Sequence, residues 1–125
     1  MSEMRFTEDH EWILMEDEEV GIVGITDYAQ DQLGELVFVE LPEVGAEYSQ
    51  GSETAVIESV KAAGEVKAPV GGTVVEINES LVDDPARVNG DPTGEGWFIK
   101  LRMADPSELE GLMDEEAYDA YVAAL

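Results

Sequence analysis

The 125-residue chain contains no cysteine, which excludes disulfides, thiolate metal sites and a cysteine nucleophile. It contains one histidine, His10. With no second nitrogen or sulfur ligand, His10 offers no zinc site, and its expected role is a local hydrogen bond. No apolar run is long enough for a transmembrane helix. Met1-Ser2-Glu3-Met4-Arg5 lacks the basic start and apolar stretch of a signal peptide, so a cytoplasmic location is expected. Positive charge is scarce as well: 6 Lys plus Arg stand against 30 Asp plus Glu, a net charge of -24. Nothing here can neutralise a run of phosphates or an anionic membrane surface, so nucleic acid and membranes are not expected partners. Such a chain repels itself at low salt, which favours a monomer. Exposed charges are screened at high salt, where the Debye length is about 3 Å at 1 M. A halophilic source is the expectation that follows.

What is present is enough to fold. Hydrophobic residues make up 44% of the chain, which argues against disorder, and the length fits one domain over residues 1–125. Catalytic patterns are missing. There is no Rossmann or phosphate-loop pattern, and Gly94-Glu95-Gly96 leads into a strand pattern instead of a helix. There is no nucleophile elbow and no calcium-loop spacing. Thirty carboxylates make some close pair inevitable, so pairing carries little evidence for hydrolysis. Asp83-Asp84 and Glu16-Asp17-Glu18-Glu19 read as solvated faces. Asn78-Glu79-Ser80 is formally a glycosylation sequon, read as accidental without a secretory signal.

The pattern along the chain is mainly β with short helices. His10–Leu14 and Val20–Ile25 read as strands joined by the acidic turn 16–19. Asp27-Tyr28-Ala29-Gln30 resembles a capping box with Asp27 as N-cap, and Gly34 ends that helix. Leu36–Leu41 reads as a strand stopped by Pro42. A strand over 54–60 leads to Lys61, the pattern resumes at Val66, Gly71-Gly72 marks a tight turn, and Val74, Val75 and Ile77 form a strand. Residues 80–96 are rich in turn formers. Residues 97–103 form a late strand. Asp105-Pro106-Ser107-Glu108 starts a helix over 106–112, with Asp as cap and Glu completing the box. A last helix over 115–124 places Ala117, Tyr118, Tyr121, Val122 and Leu125 on one packing face. Many short strands between glycine turns predict a sandwich or barrel with flanking helices.

Lys61, in Glu58-Ser59-Val60-Lys61-Ala62-Ala63, is the most informative residue. It is one of three lysines and falls at a turn between two β-patterned runs. A primary amine on a flexible stem, held on a rigid base, is what covalent attachment requires. Most turn lysines are only solvated charges, and the scarcity of lysine here raises the weight of an attachment role at Lys61.

Taken with His10-Glu11-Trp12, Gly24–Gly34, Val37–Pro42, Glu58–Ala62, Ala68-Pro69-Val70, Val88-Asn89, Asp91-Pro92, Gly94–Trp97, Asp105–Leu109 and Glu116–Tyr118, the chain resembles the glycine cleavage H proteins. The resemblance runs over almost its whole length. It implies a lipoyl/biotinyl-type barrel-sandwich hybrid, with a helix in the N-terminal half and helices at the C-terminus. It implies lipoic acid in amide linkage on Lys61, with Glu58, Ser59, Val60 and Ala62 recognised by the lipoate ligase or octanoyltransferase that attaches it. It further implies a non-catalytic shuttle between three enzymes. A pyridoxal-phosphate glycine decarboxylase loads an aminomethyl group onto the arm. An aminomethyltransferase passes the carbon to tetrahydrofolate, and an FAD-dependent dihydrolipoyl dehydrogenase reoxidises the arm. H proteins shelter the loaded arm in a cleft where a carboxylate pairs with its ammonium. By resemblance Glu11 is the first candidate, Glu65 the second and Asp9 the third. The family commonly has serine and aspartate where this chain has Gly64 and Glu65. Lys67 lacks the Glu-Ser-Val flank and reads as a surface charge. Two other readings stay open: a lipoyl donor to other enzymes, and a biotinyl carrier, which the absence of methionine beside Lys61 disfavours. An enzyme using the acidic cleft has no motif behind it.

Overall fold

Runs rich in valine, isoleucine and aromatic residues become strands because their side chains pack well on a half-buried pleated surface. In the computed structural model, which describes residues 4–125, strand β1 (Met4–Phe6) pairs antiparallel with β2 (Glu11–Met15), and β2 with β3 (Val20–Ile25). Helix α1 (Asp27–Leu33) follows. Next come β4 (Leu36–Glu40), the short β5 (Glu47–Tyr48), β6 (Glu53–Ser59), β7 (Ala63–Lys67) and β8 (Gly72–Ile77). Two single-turn helices, α2 (Ser80–Asp83) and α3 (Arg87–Gly90), lead to β9 (Ile99–Met103). A 3-10 helix (Pro106–Gly111) and α4 (Glu115–Ala123) end the chain.

The strands form two antiparallel sheets, ordered β1-β2-β3-β9-β8-β5 and β4-β6-β7. Their inner faces share one core, with Ile13, Val23, Val74 and Leu101 from the larger sheet meeting Val39, Ala55, Ile57 and Val66 from the smaller. Each fully buried aliphatic side chain is worth about 1.5–3 kcal/mol, so both sheets are firm platforms. A second cluster, Phe6, Trp12 and Tyr118, packs α4 onto the edge of the larger sheet. This is the β-rich sandwich with flanking helices that the sequence predicts.

Several local expectations are corrected. The N-cap of α1 is Thr26, not Asp27: its hydroxyl accepts from the Ala29 amide, while Asp27 accepts from the Gln30 side chain. Asp105 does cap its helix, but the turn is 3-10, and Glu108 accepts from the Gly71 amide in place of closing a capping box. Gly72 lies inside β8, not in a turn. A Cβ there would strike the Arg102 carbonyl, so the glycine permits close strand pairing. The turn-rich stretch 80–96 winds into α2 and α3, each burying one apolar residue, Leu81 and Val88. The late strand begins at Ile99 instead of Trp97. On α4 only Tyr118 is buried, while Ala117 and Leu125 are exposed. The acidic turn is no bare solvated face, since Asp17 accepts from the Glu19 and Val20 amides and Glu16 pairs with Lys100 at 2.6 Å. The stretch read for a leader includes residues 1–3, which lie outside the described residues.

Candidate functional site

The β6–β7 hairpin carries Lys61 at its tip. The strands are held in register by Val56↔Glu65, Ile57↔Gly64 and Glu58↔Ala63. Ser59 then fastens the turn: its hydroxyl accepts from the Lys61 amide (3.1 Å) and the Ala62 amide (2.9 Å) and donates to the Ala62 carbonyl (3.0 Å). One donor and two acceptor sites are all that a hydroxyl has, so Ser59 is fully used in shaping this loop. The Val60 amide donates to the Glu35 carbonyl at 3.0 Å, which ties the tip to the start of β4. Lys61 itself is exposed. Its aliphatic stem lies over Gly34, where an added Cβ would come within 3.0 Å of Lys61 Cε. The glycine that ends α1 therefore also leaves a cradle for the lysine stem.

A second feature lies where β2 begins. Glu11 is only 3% exposed. Its carboxylate accepts from the Thr7 hydroxyl (2.7 Å) and from the Lys67 amide (3.2 Å). Thr7 in turn accepts from the Glu11 and Asp9 amides. Burial raises the Glu11 pKa above its ordinary value; the Thr7 and Lys67 hydrogen bonds work against that shift. Glu11 lines an open cleft of about 280 Å³ together with Phe6, Thr7, Asp9, Lys67 and Met113. Across it, Lys67 Nζ stands 3.7 Å from Asp9 Oδ2.

Glu11 and Asp9 are thus brought together. Glu65 is placed apart, exposed on the outer face of β7, where a hydrogen bond with Glu53 and that group's charge raise its pKa. Glu58, Ser59, Val60 and Ala62 all cluster at the Lys61 turn. Sequence reasoning passed over three residues. Lys67, read as a surface charge, joins the cleft through both its amide and its ammonium. Thr7 organises the loop before Glu11, and its bond from the Asp9 amide two residues on is a serine/threonine turn. Gly34 was read only as a helix stop. His10 does make a hydrogen bond, but a distant one: Nδ1 meets the Tyr118 hydroxyl at 2.8 Å, and that hydroxyl meets Thr26 Oγ1 at 2.7 Å. His10, at φ 70°, thereby locks α4 to the residues flanking the cleft loop, and burial lowers its pKa. Among the described residues no group of acidic, histidine or cysteine side chains is placed to hold a metal, and no helix is long and apolar enough to cross a membrane.

Comparison with known proteins agrees with this architecture. The family model for the glycine cleavage H-protein matches residues 4–124. The chain is 58% identical to the glycine cleavage system H protein of Rhodospirillum rubrum over 125 residues, covering all of this chain and 99% of that relative. It is 57% identical to the protein of the same name from Parvibaculum lavamentivorans, with the same coverage. The crystal structure of a glycine cleavage system H protein from Mycobacterium marinum superposes with a TM-score of 0.88 at 36% identity, covering 97% of each chain. On this evidence the chain belongs to the glycine cleavage H-protein family.

Proposed function

We propose that the protein, as one domain over residues 1–125, is the lipoyl carrier of the glycine cleavage system, with lipoic acid in amide linkage on Lys61. The observation that carries this reading is the exposed lysine on a hairpin tip that Ser59 holds rigid, in a chain of this family. The Gly34 cradle fits the group's attachment, because it seats the stem while leaving the amine in solvent. Lipoate held on Lys61 would supply a dithiolane able to carry an aminomethyl group between glycine decarboxylase and the aminomethyltransferase, whose acceptor is tetrahydrofolate, and dihydrolipoyl dehydrogenase would serve to reoxidise it.

The chain's own residues position and protect. Ser59 fixes where the arm leaves the body. Tethering there raises the local concentration of the cargo at each docked enzyme. The Glu11–Asp9 cleft offers carboxylates to a primary ammonium. Glu11 is the better partner, because its burial keeps solvent from screening the pair. In this reading the chain is a non-catalytic component working in the cytoplasm, because the attached group and the partner enzymes carry the chemistry. The acidic surface belongs to the same reading as an adaptation to high salt, and melting temperature should then rise with KCl.

The test is fragment mass spectrometry of natively expressed protein across Lys61, with glycine–bicarbonate exchange in the presence of the purified decarboxylase. A lipoyl mass on Lys61 with exchange activity is the expected result. A biotinyl mass, or a bare Lys61 in cells with active lipoylation, would overturn it. A lipoyl mass without exchange would point to donation of lipoate to other enzymes.

A further inference from the structure

The loop that joins β1 to β2 is closed by two backbone bonds. The Thr7 amide donates to the Glu11 carbonyl at 2.9 Å, and the His10 amide donates to the Thr7 carbonyl at 3.1 Å. Glu8, Asp9 and His10 are left as a three-residue hairpin loop, a form whose left-handed position falls to glycine by default. Here a histidine at φ 70° holds that position, and among the described residues it is the one non-glycine residue with a positive φ. A ring-bearing side chain kept where glycine would sit without strain points to a use for the ring. That ring is gripped from α4 and α1. Its Nδ1 lies 2.8 Å from the Tyr118 hydroxyl, and its centroid lies 4.7 Å from that of Tyr28, 5.8 Å from that of Tyr118 and 5.9 Å from that of Tyr121. The Tyr118 hydroxyl also meets Thr26 Oγ1 at 2.7 Å, and the Thr26 amide donates to the His10 carbonyl at 2.9 Å. Tyr121 donates to the Glu8 carbonyl at 3.3 Å. The loop is thus pinned on both sides of Asp9, and the residue that follows His10 is Glu11.

We propose that Tyr118 and His10 are positioning residues for the loaded arm: the Tyr118 hydroxyl fixes the left-handed turn at His10, and that turn aims the Glu11 carboxylate into the cleft. The inference rests on the reading of Glu11 as the partner of the arm's ammonium. Glu11 depends on the loop for its place. Its amide donates to Thr7 Oγ1 at 3.1 Å, and its carboxylate accepts from the same hydroxyl at 2.7 Å. Thr7 stands at the other end of the three-residue loop, so both bonds hold only while the loop keeps its turn. Were His10 to swing to a negative φ, β2 would leave the loop in another direction and the two bonds would part. Tyr118 also reaches towards the other pole. Thr26 caps α1 by accepting from the Ala29 amide at 3.2 Å, and Gly34 at the far end of that helix seats the Lys61 stem. One phenol is therefore bonded both to the residue before the cleft carboxylate and to the cap of the helix that ends in the cradle. Neither Tyr118 nor His10 lines the cleft around Glu11, so both act through other residues.

The test uses the full chain and two variants chosen to keep the fold. Tyr118→Phe deletes the hydroxyl but keeps the ring, which is stacked on Phe6 with centroids 4.5 Å apart. His10→Gly suits the left-handed turn but removes the imidazole. The lipoylated protein is loaded with glycine and the purified decarboxylase, and loss of the load is followed by intact mass. Each variant should shorten the loaded lifetime about fivefold, the scale of one hydrogen bond. The double variant should be no worse than the worse single one, because both break the same link. In a Glu11→Gln background neither should shorten the lifetime further, whereas residues that only support the fold would do so there as well. In the bare protein, carboxyl-carbon NMR should find the Glu11 titration of Tyr118→Phe moved down towards the ordinary 4.5, since burial is the largest cause of its rise. Parent-like lifetimes, an effect that persists beside Glu11→Gln, or an unmoved Glu11 titration would each overturn the proposal. A parent that takes up no load would instead remove the reading beneath it, and the titration would still decide whether Tyr118 holds Glu11.

Discussion

The hairpin tip and the Glu11 cleft are built by opposite means. At the tip, one half-buried hydroxyl shapes the turn, and Val60, Lys61 and Ala62 are exposed. At the cleft, a carboxylate is drawn almost wholly into the protein, and two donors compensate for its lost water. The tip presents a group to other proteins, and the cleft withholds a charge from solvent. Strand β7 joins them, since Ala63 adjoins the turn and Lys67 closes the cleft. Its ends lie about 13 Å apart at the usual rise of about 3.3 Å per residue. A carrier needs both properties, exposure for exchange and seclusion for transport, and one strand sets the distance an attached arm has to cover between them.

The sharpest break in this comparison is Lys61→Arg. It keeps the charge at the tip but removes the acylable amine. Acylation and glycine–bicarbonate exchange should vanish, while stability stays within about 0.5 kcal/mol of the parent, as for an ordinary surface change. Intact mass and urea unfolding read the two halves separately. Residual exchange would mean that the tip is not the carrier site.

Glu11→Gln addresses the other pole. It keeps the shape of the side chain but removes the charge, so the loaded state should decay about tenfold faster, the scale of a lost hydrogen bond between charged groups. An unchanged lifetime would remove Glu11 from the sheltering role. The pH dependence follows from the raised pKa. Between the ordinary value of 4.5 and the raised one, the folded state holds a proton on Glu11 that the unfolded chain has released. Stability supplied by this residue therefore increases as pH falls through that window and is lost as pH rises through it. Comparing urea midpoints of the parent and Glu11→Gln across pH should reveal that slope in the parent alone. Lys61→Arg, at the exposed pole, should leave it intact.

The two poles were not equally legible in the sequence. The tip was readable because its signal is local: a scarce lysine between β-patterned runs, with Ser59 two residues before it. The cleft was readable only through Glu11 and Asp9, which the resemblance supplied. Lys67 enters the cleft because β7 passes beside β2, a long-range neighbourhood that no local pattern encodes. The same holds for His10, whose partner Tyr118 lies 108 residues away. Local capping went astray where competing acceptors adjoin. Thr26 and Asp27 are both good caps, and the backbone chose the first, leaving Asp27 to Gln30. The helices α2 and α3 form in turn-rich sequence because Leu81 and Val88 have a core to enter, and tertiary burial outweighs weak local propensity.

Gly34→Ala joins the two regions of argument at smaller magnitude. The residue sits at φ 82°, ψ -167°, a region open essentially to glycine alone, and a side chain there costs about 1–3 kcal/mol. The methyl group would also press on Lys61 Cε. A lower unfolding midpoint together with slower acylation is expected. A loss of stability with normal acylation would reduce the cradle to a helix stop.

The smallest effect separates the two bonds of Lys67. In Lys67→Gln the backbone amide still donates to Glu11, but the ion pair with Asp9 is gone. Both of its side chains are substantially exposed, 40% and 58%, so the loss of stability should be under about 1 kcal/mol. The lifetime of the loaded state should move the other way. The Lys67 ammonium stands where an incoming ammonium would seek Asp9, and the two repel each other. Removing it leaves the cleft more negative, and the load should persist longer, opposite to the effect of Glu11→Gln. A shorter lifetime in Lys67→Gln would mean that the lysine shapes the cleft instead of competing within it. The contrast between tip and cleft would then rest on geometry more than on charge.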